Sequence, residues 1–165
     1  MFALPAGEVD RRIETRRLRQ AALTCVPPLR LTAVIDESVL HRRVGDAPTM
    51  YEQLKHVAAI SVLPHIEIRI MPLTGEHLVG GGPFNYLKFP RIHAVPRDDI
   101  VSLEYLTSTQ YIEEESDTHK FGVVFDSLLE SALPERESRE LINMVADDVW
   151  SDPAGLRLTA NLEAE

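Results

Sequence analysis

Two periods of apolar residues divide the chain into elements. Ile66, Ile68 and Ile70 alternate with Glu67, Arg69 and Met71, and Pro72 closes the run. A period of 2 sets one face of a strand against a core. The same alternation runs through Leu29–Ile35, with Leu29, Leu31, Ala33 and Ile35 set against Arg30, Thr32 and Val34. It returns in Ile100–Leu106, with Val101, Leu103 and Tyr105 on one side and Ser102, Glu104 and Leu106 on the other. Phe84–Phe89 reads as a further strand, and Gln110–Glu113 as a short hairpin arm beside Ile100–Leu106.

Elsewhere the period lengthens to that of a helix. Met50, Leu54, Val57 and Ala58 predict a helix over Met50–Leu63, ended by Pro64. Thr49-Met50-Tyr51-Glu52 fits a capping box at its start, where threonine and glutamate each satisfy an orphan amide. Phe121, Val124, Phe125, Leu128, Leu129 and Ala132 follow i, i+3, i+4, i+7, i+8 and i+11, a broad core-facing stripe. Pro134 suits the first turn of a last helix, and Glu135 and Glu137 favour its dipole. Leu141, Ile142, Val145 and Val149 are its expected buried face. At the other end, Val9–Leu23 reads as a helix with Ile13, Leu18 and Ala22 inward, stopped by Pro27-Pro28.

Helices flank a run of successive strands, so the fold class is α+β, without the strict alternation of a doubly wound sheet. The expected architecture is a mainly antiparallel sheet of about five strands packed against helices, with two helices at the C-terminus. At 165 residues one domain is expected. Its expected extent is residues 9–150, between a loose lead-in at 1–8 and a tail at 151–165.

Charge narrows the function classes. Seventeen basic residues against 26 acidic ones leave −9, a poor balance for a general nucleic-acid binder, because phosphate contacts need a cationic face. Arginines 11, 12, 16, 17 and 19 crowd the first helix, but Glu8, Asp10 and Glu14 reduce that stretch to +2. A solvated face is the plain reading and a partner-binding face the functional one. No apolar run reaches the length of a membrane span or a signal peptide, so a cytoplasmic protein off the membrane is expected.

The usual catalytic signatures do not assemble. Cys25 is the sole cysteine, which excludes an internal disulfide and a multi-cysteine zinc site. Gly80-Gly81-Gly82 leads into Pro83 and a strand, whereas a phosphate loop must open a helix. The six histidines (41, 56, 65, 77, 93 and 119) form no metal-binding pair around a glutamate base, and His65-x-Glu67 lacks the paired cysteines of a zinc deaminase. There is no Gly-x-Ser-x-Gly elbow. Asp36-Glu37 followed by Arg42-Arg43 suits a polar knot. Glu104, in the middle of a predicted strand, is either solvated or paired with a cation. No catalytic residue, metal or cofactor is expected.

Several ordered segments carry a resemblance. They are Arg19-Gln20, Pro27-Pro28-Leu29, the stretch from Ala33 to Gly45, Gln53-Leu54, Ile68–Leu73, Gly82-Pro83-Phe84 and Leu103-Glu104-Tyr105. The closing helices add Phe125, Leu129, Ala132-Leu133-Pro134 and Glu137-Ser138. From about residue 16 to residue 150 the chain resembles the actinobacterial domain of unknown function of Scr-type, antitoxin-like (WhiJ-like) transcriptional regulators, where it follows an Xre-type helix-turn-helix. The resemblance implies a regulatory domain that senses a signal or holds a partner, and Glu37, Arg42 and Glu104 match its pattern. Only 28 residues precede the first predicted strand, too few for a helix-turn-helix bundle, so a regulator-type domain without its DNA-reading half is expected.

Two functions follow as expectations. The first is a stand-alone module that binds an unknown protein partner or a small apolar ligand and does not touch DNA itself. The second is a cofactor-free enzyme, such as a cyclase acting on an apolar intermediate of actinobacterial secondary metabolism, which needs shape and water exclusion more than a motif. Candidate ligand-binding residues are Glu37, Arg42, Met71, Phe84, Tyr86, Glu104, Tyr105 and Tyr111, and their plain alternative is ordinary packing. A homodimer would form on the exposed faces of the first helix and the terminal pair.

Overall fold

Ten regular elements and one π turn follow each other along the chain in a computed structural model that describes residues 6–74, 82–89, 98–105 and 107–151. They divide into two compact units. The first comprises residues 1–70 and 133–165, the second residues 71–132.

The first unit opens with α1 (Ala6–Ala21), so residues 6–8 are already helical, and continues through β1 (Leu31–Asp36) and α2 (Ser38–His41). Next come α3 (Ala47–Ile60) and β2 (Ile66–Met71), whose last residue begins the second unit. β1 and β2 pair as a two-stranded sheet. The Leu31 amide donates to the His65 carbonyl at 2.9 Å, so the two strands start side by side. An antiparallel pairing from that contact would run β1 back along α3. The strands therefore run parallel, with α3 in the crossover that parallel neighbours require.

The strand over Ile66–Met71 matches the sequence reading. Ile66, Ile68 and Ile70 are buried, while Glu67 and Arg69 share the other face as an ion pair at 2.8 Å. Helix α3 begins three residues before the expected Met50. Its N-cap is Asp46, whose carboxylate accepts from the Thr49 amide at 2.9 Å, and Pro48 follows in the first turn. The Thr49–Glu52 capping box is thus displaced by a stronger local one. Ala47, Met50, Leu54 and Ala58 form the buried face of α3, against Leu40 of α2 and the isoleucines of β2.

The closing helix α5 (Glu135–Val145) is capped by Pro134, which stands just before the first turn rather than in it. Ile142 and Val145 are buried, and Leu141 and Val149 pack against the core. The helix then widens into a π turn, Ala146–Trp150, which turns Ala146 and Trp150 inward and leaves Asp147 and Asp148 exposed. The Trp150 indole donates to the Leu40 carbonyl at 2.8 Å and ties the π turn to α2. Ser138, fully buried, accepts from the Ile70 amide at 2.9 Å and donates to the Leu133 carbonyl at 3.0 Å, while the Leu133 amide reaches the Ile70 carbonyl. One hydroxyl thereby satisfies the end of β2 and the start of α5 together.

The second unit holds β3 (Phe84–Leu87), β4 (Ile100–Glu104), β5 (Thr109–Ile112) and α4 (Glu115–Ser131). The strands form an antiparallel meander in the order β3-β4-β5, with Tyr86 opposite Val101 and Ser102 opposite Tyr111. The expected sheet of about five strands is therefore two separate sheets of two and three strands, only the second of them antiparallel. The strands were legible from their period, but a period of 2 does not say which edges meet. The glycine-rich stretch at 75–81, the loop at 90–97, Leu106 and residues 1–5 and 152–165 lie outside the described residues.

Candidate functional site

The three-stranded sheet carries most of the chemistry-bearing side chains, and strand alternation sorts them onto two faces. Phe84 and Tyr86 share one face with their cross-strand partners Leu103 and Val101. This face meets α4. The Phe84 ring lies 5.1 Å from that of Phe121, tilted by 60°, and 6.4 Å from that of Phe125, edge-on. Such geometries are favoured because the positive ring edge meets the negative face. Phe121 and Phe125 come from the stripe read in the sequence, so the stripe's function is to close this aromatic cluster.

Tyr86 extends beyond the cluster. Its hydroxyl donates to Asp99 Oδ2 at 2.6 Å, and Lys88 Nζ lies 5.0 Å from its ring centre. The ring rests on Gly122 of α4, where a Cβ would stand 3.4 Å from both Cε1 and the phenol oxygen. A methyl at that distance would make ordinary van der Waals contact with the ring, so the approach does not by itself require a glycine, which inside a helix costs about 1 kcal/mol relative to alanine. The hydrogen bond to Asp99 pushes the Tyr86 phenol up to about 12, with partial burial and the charges of Asp99 and Asp126 adding in the same direction. A phenol held neutral so firmly is a hydrogen-bond donor and not a base.

The opposite face carries Asn85, Leu87, Ile100, Ser102 and Tyr111. Asn85 Nδ2 donates to Ser102 Oγ at 3.2 Å, and Ser102 is buried between its cross-strand neighbours. Tyr111 on β5 is 62% exposed, and Leu87 on β3, across β4, is exposed on the same face. Glu104 stands exposed at the end of β4, opposite Thr109. Tyr105, 56% exposed, begins the turn into β5, where its amide donates to the Ser108 carbonyl at 2.8 Å.

The eight sequence candidates therefore divide. Phe84 and Tyr86 face α4, while Glu104, Tyr105 and Tyr111 are exposed, and Met71 is buried at the end of β2. Glu37 and Arg42 belong to the first unit, around α2. There Glu37 Oε1 lies 3.7 Å from His41 Nε2, and Arg42 is exposed. The Asp36 carboxylate accepts from both the amide and the hydroxyl of Ser38, and Arg43 Nε donates to the Gly45 carbonyl at 3.1 Å. Sequence reading missed Asp99, Gly122 and Ser138. Asp99 sits in a loop with no period, and what a helical glycine packs against shows only once its neighbour across the sheet is known.

Among the described residues, no three His, Cys, Asp or Glu side chains gather as metal ligands, and no helix is long and apolar enough to cross a membrane. Compared with known families, residues 2–144 match the model described as Domain of unknown function (DUF5753). No curated protein and no solved structure matches the chain.

Proposed function

The chain belongs to the DUF5753 family, and from that premise we propose that it is a regulatory domain that holds a protein partner and does not grip DNA by itself. The observation that carries this reading is the outward face of the β3-β4-β5 sheet, where an exposed Tyr111 and an exposed Leu87 flank the Asn85–Ser102 hydrogen bond. Tyrosine brings a large apolar body with a polar tip and little side-chain entropy to lose, which is why it is enriched at interfaces. The resemblance of the Ala33–Gly45 and Leu103–Tyr105 segments to antitoxin-like regulators supports the regulatory half of the reading. The net charge of −9 supports the absence of DNA gripping.

Native mass spectrometry of the chain purified from its source tests this. The expected result is a stoichiometric, identifiable protein subunit whose affinity, measured with both purified components, falls at least about tenfold in a Leu87→Asp, Tyr111→Asp variant. Retention of a small apolar molecule instead would make the domain an effector receptor. Turnover of such a molecule, or retardation of duplex DNA by the chain alone at physiological salt, overturns the proposal.

A further inference from the structure

Helix α1 is exposed at every position from Val9 to Ala21. Its large apolar residues Val9, Ile13 and Leu18 are exposed too, against the inward placement expected of Ile13 and Leu18, so the helix has no buried apolar face over residues 9–21, and at 16 residues it stands near the length at which isolated helices are marginal. Its charges are sorted by face. At 100° per residue, Arg11, Arg12, Arg16 and Arg19 fall within an arc of about 140° that also holds Glu8, whereas Asp10 and Glu14 lie on the other side with Arg17. Arg12 pairs with Glu8 at 2.7 Å, and Arg11, Arg16 and Arg17 make no ion pair among the described residues.

The same unit presents the complementary surface. Glu137, Glu140 and Met144 follow i, i+3 and i+7 along the outer side of α5, and Asp148 continues in the exposed half of the π turn. All four are exposed, Met144 by 53%. This acidic row spans about 16 Å and the Arg12–Arg19 row about 10 Å, at 1.5 Å per residue. Val9 and Ile13, exposed at the border of the arginine arc, are apolar contacts of the kind Met144 accepts. Of 17 basic and 26 acidic residues, five and three lie in α1, so the rest of the chain holds 12 against 23, a charge of −11.

We infer that α1 of one copy docks on the α5 surface of a second copy, its arginine row against Glu137, Glu140 and Asp148, with the same contact repeated about a two-fold axis. Repeated about a two-fold axis, the contact is made twice and uses both patches of each copy, so the pair closes; a single head-to-tail contact would propagate instead. The like charge of the two copies does not prevent this. At physiological salt the Debye length is about 8 Å, so repulsion across whole molecules is screened while pairs in contact are not. The internal Glu8–Arg12 and Arg136–Glu140 pairs are solvent-exposed and weakly held, and they exchange readily for pairs across the interface. This inference is independent of the partner held on the β3-β4-β5 sheet.

Sedimentation velocity on the full chain tests it. At about 100 μM, where a micromolar contact is saturated, the chain is expected to sediment as a dimer that dissociates as salt is raised. Reversal of one row (Arg12→Glu, Arg16→Glu, Arg19→Glu) or of the other (Glu137→Lys, Glu140→Lys, Asp148→Lys) leaves a monomer. An equimolar mixture of the two variants restores a dimer, because each reversed row then meets its reversed counterpart. The milder pair Arg16→Gln, Arg19→Gln, which keeps helix propensity, weakens the dimer at least about tenfold and guards against a loss of fold in the triple variants. A monomeric wild type, a dimer indifferent to salt or to the reversals, or a mixture of reversed variants that stays monomeric overturns the inference. So does an α1 whose reversal abolishes binding to duplex DNA while the chain remains monomeric.

Discussion

Ser138 shows how much a single buried hydroxyl can hold. It accepts from the Ile70 amide and donates to the Leu133 carbonyl, and no water reaches it. Ser138→Ala leaves both backbone groups short of a partner, and an unsatisfied buried group costs about 1–3 kcal/mol. The unfolding free energy of the variant, read from its urea midpoint at an unchanged slope, is expected to fall by that amount. A loss below the resolution of the measurement would show that the clasp is ornamental. Tyr86 makes the second prediction. Its folded phenol is raised to about 12 from the usual value of 10.0, so the stability it contributes is fully present below about 10 and disappears as pH rises through 12. Absorbance titration should find one of the four tyrosines ionising last, and Asp99→Asn should bring that step down, because the hydrogen bond to Asp99 is the largest cause of the shift. Neither pair was legible in the sequence. Ser138 lies between the charged residues Glu137 and Arg139, and Asp99 between Asp98 and Ile100, where nothing in the local pattern marks a buried partner. Glu104 differs: its place in an alternating run marked it in the sequence, and it stands exposed at the strand's end.

Elements were more legible than their ends. β2 follows its isoleucine alternation from Ile66 to Ile70, since each of these side chains has a core to meet on one side of the pleat, and departs from it at Met71, which is buried although it alternates with the isoleucines. Helix α3 was placed correctly by Met50, Leu54 and Ala58, but its start was not, because two cap signals stand three residues apart and the one at Asp46 prevails. Asp46 binds the Thr49 amide, and its hydrogen bonds with Thr49 hold its carboxyl below the usual value of 3.8. A depressed folded value means that the cap's contribution is complete above that usual value and is lost as pH falls through the lower folded one. Asp46→Ala should therefore lower the melting temperature at neutral pH, while Asp46→Ser, another good cap, should lower it less. The difference between wild type and the alanine variant should shrink in strong acid. A difference that stays constant from neutral pH to pH about 2 would assign the effect to something other than the ionised cap.

Across the whole molecule, the sequence reading failed at the step from strands to sheets. All five strands are present, yet β1 pairs with β2 around a helix while β3, β4 and β5 form a meander of their own. Each strand's pattern records which face it buries and says nothing about which edge it offers, so partners separated by about thirty residues in one case and a short turn in another look alike. The distribution of burial gives this arrangement a measurable consequence. Ile70 in β2 and Val101 in the central strand β4 have no exposed surface, and the Ile70 amide is held by Ser138 within the first unit's core. β5 lies at the edge of its sheet, with Thr109, Gln110 and Tyr111 all exposed. Amide exchange reports opening, and opening is cheapest where few buried contacts must be broken. The amides of Ile70 and Val101 should exchange among the slowest in the chain. Those of β5 should exchange faster than those of β4, although the two strands are paired to each other. Residue-resolved hydrogen exchange at neutral pH reads this order directly. Protection in β5 equal to that of Ile70 would mean that the outward sheet face is already covered, by a partner or by a second copy, in the free protein.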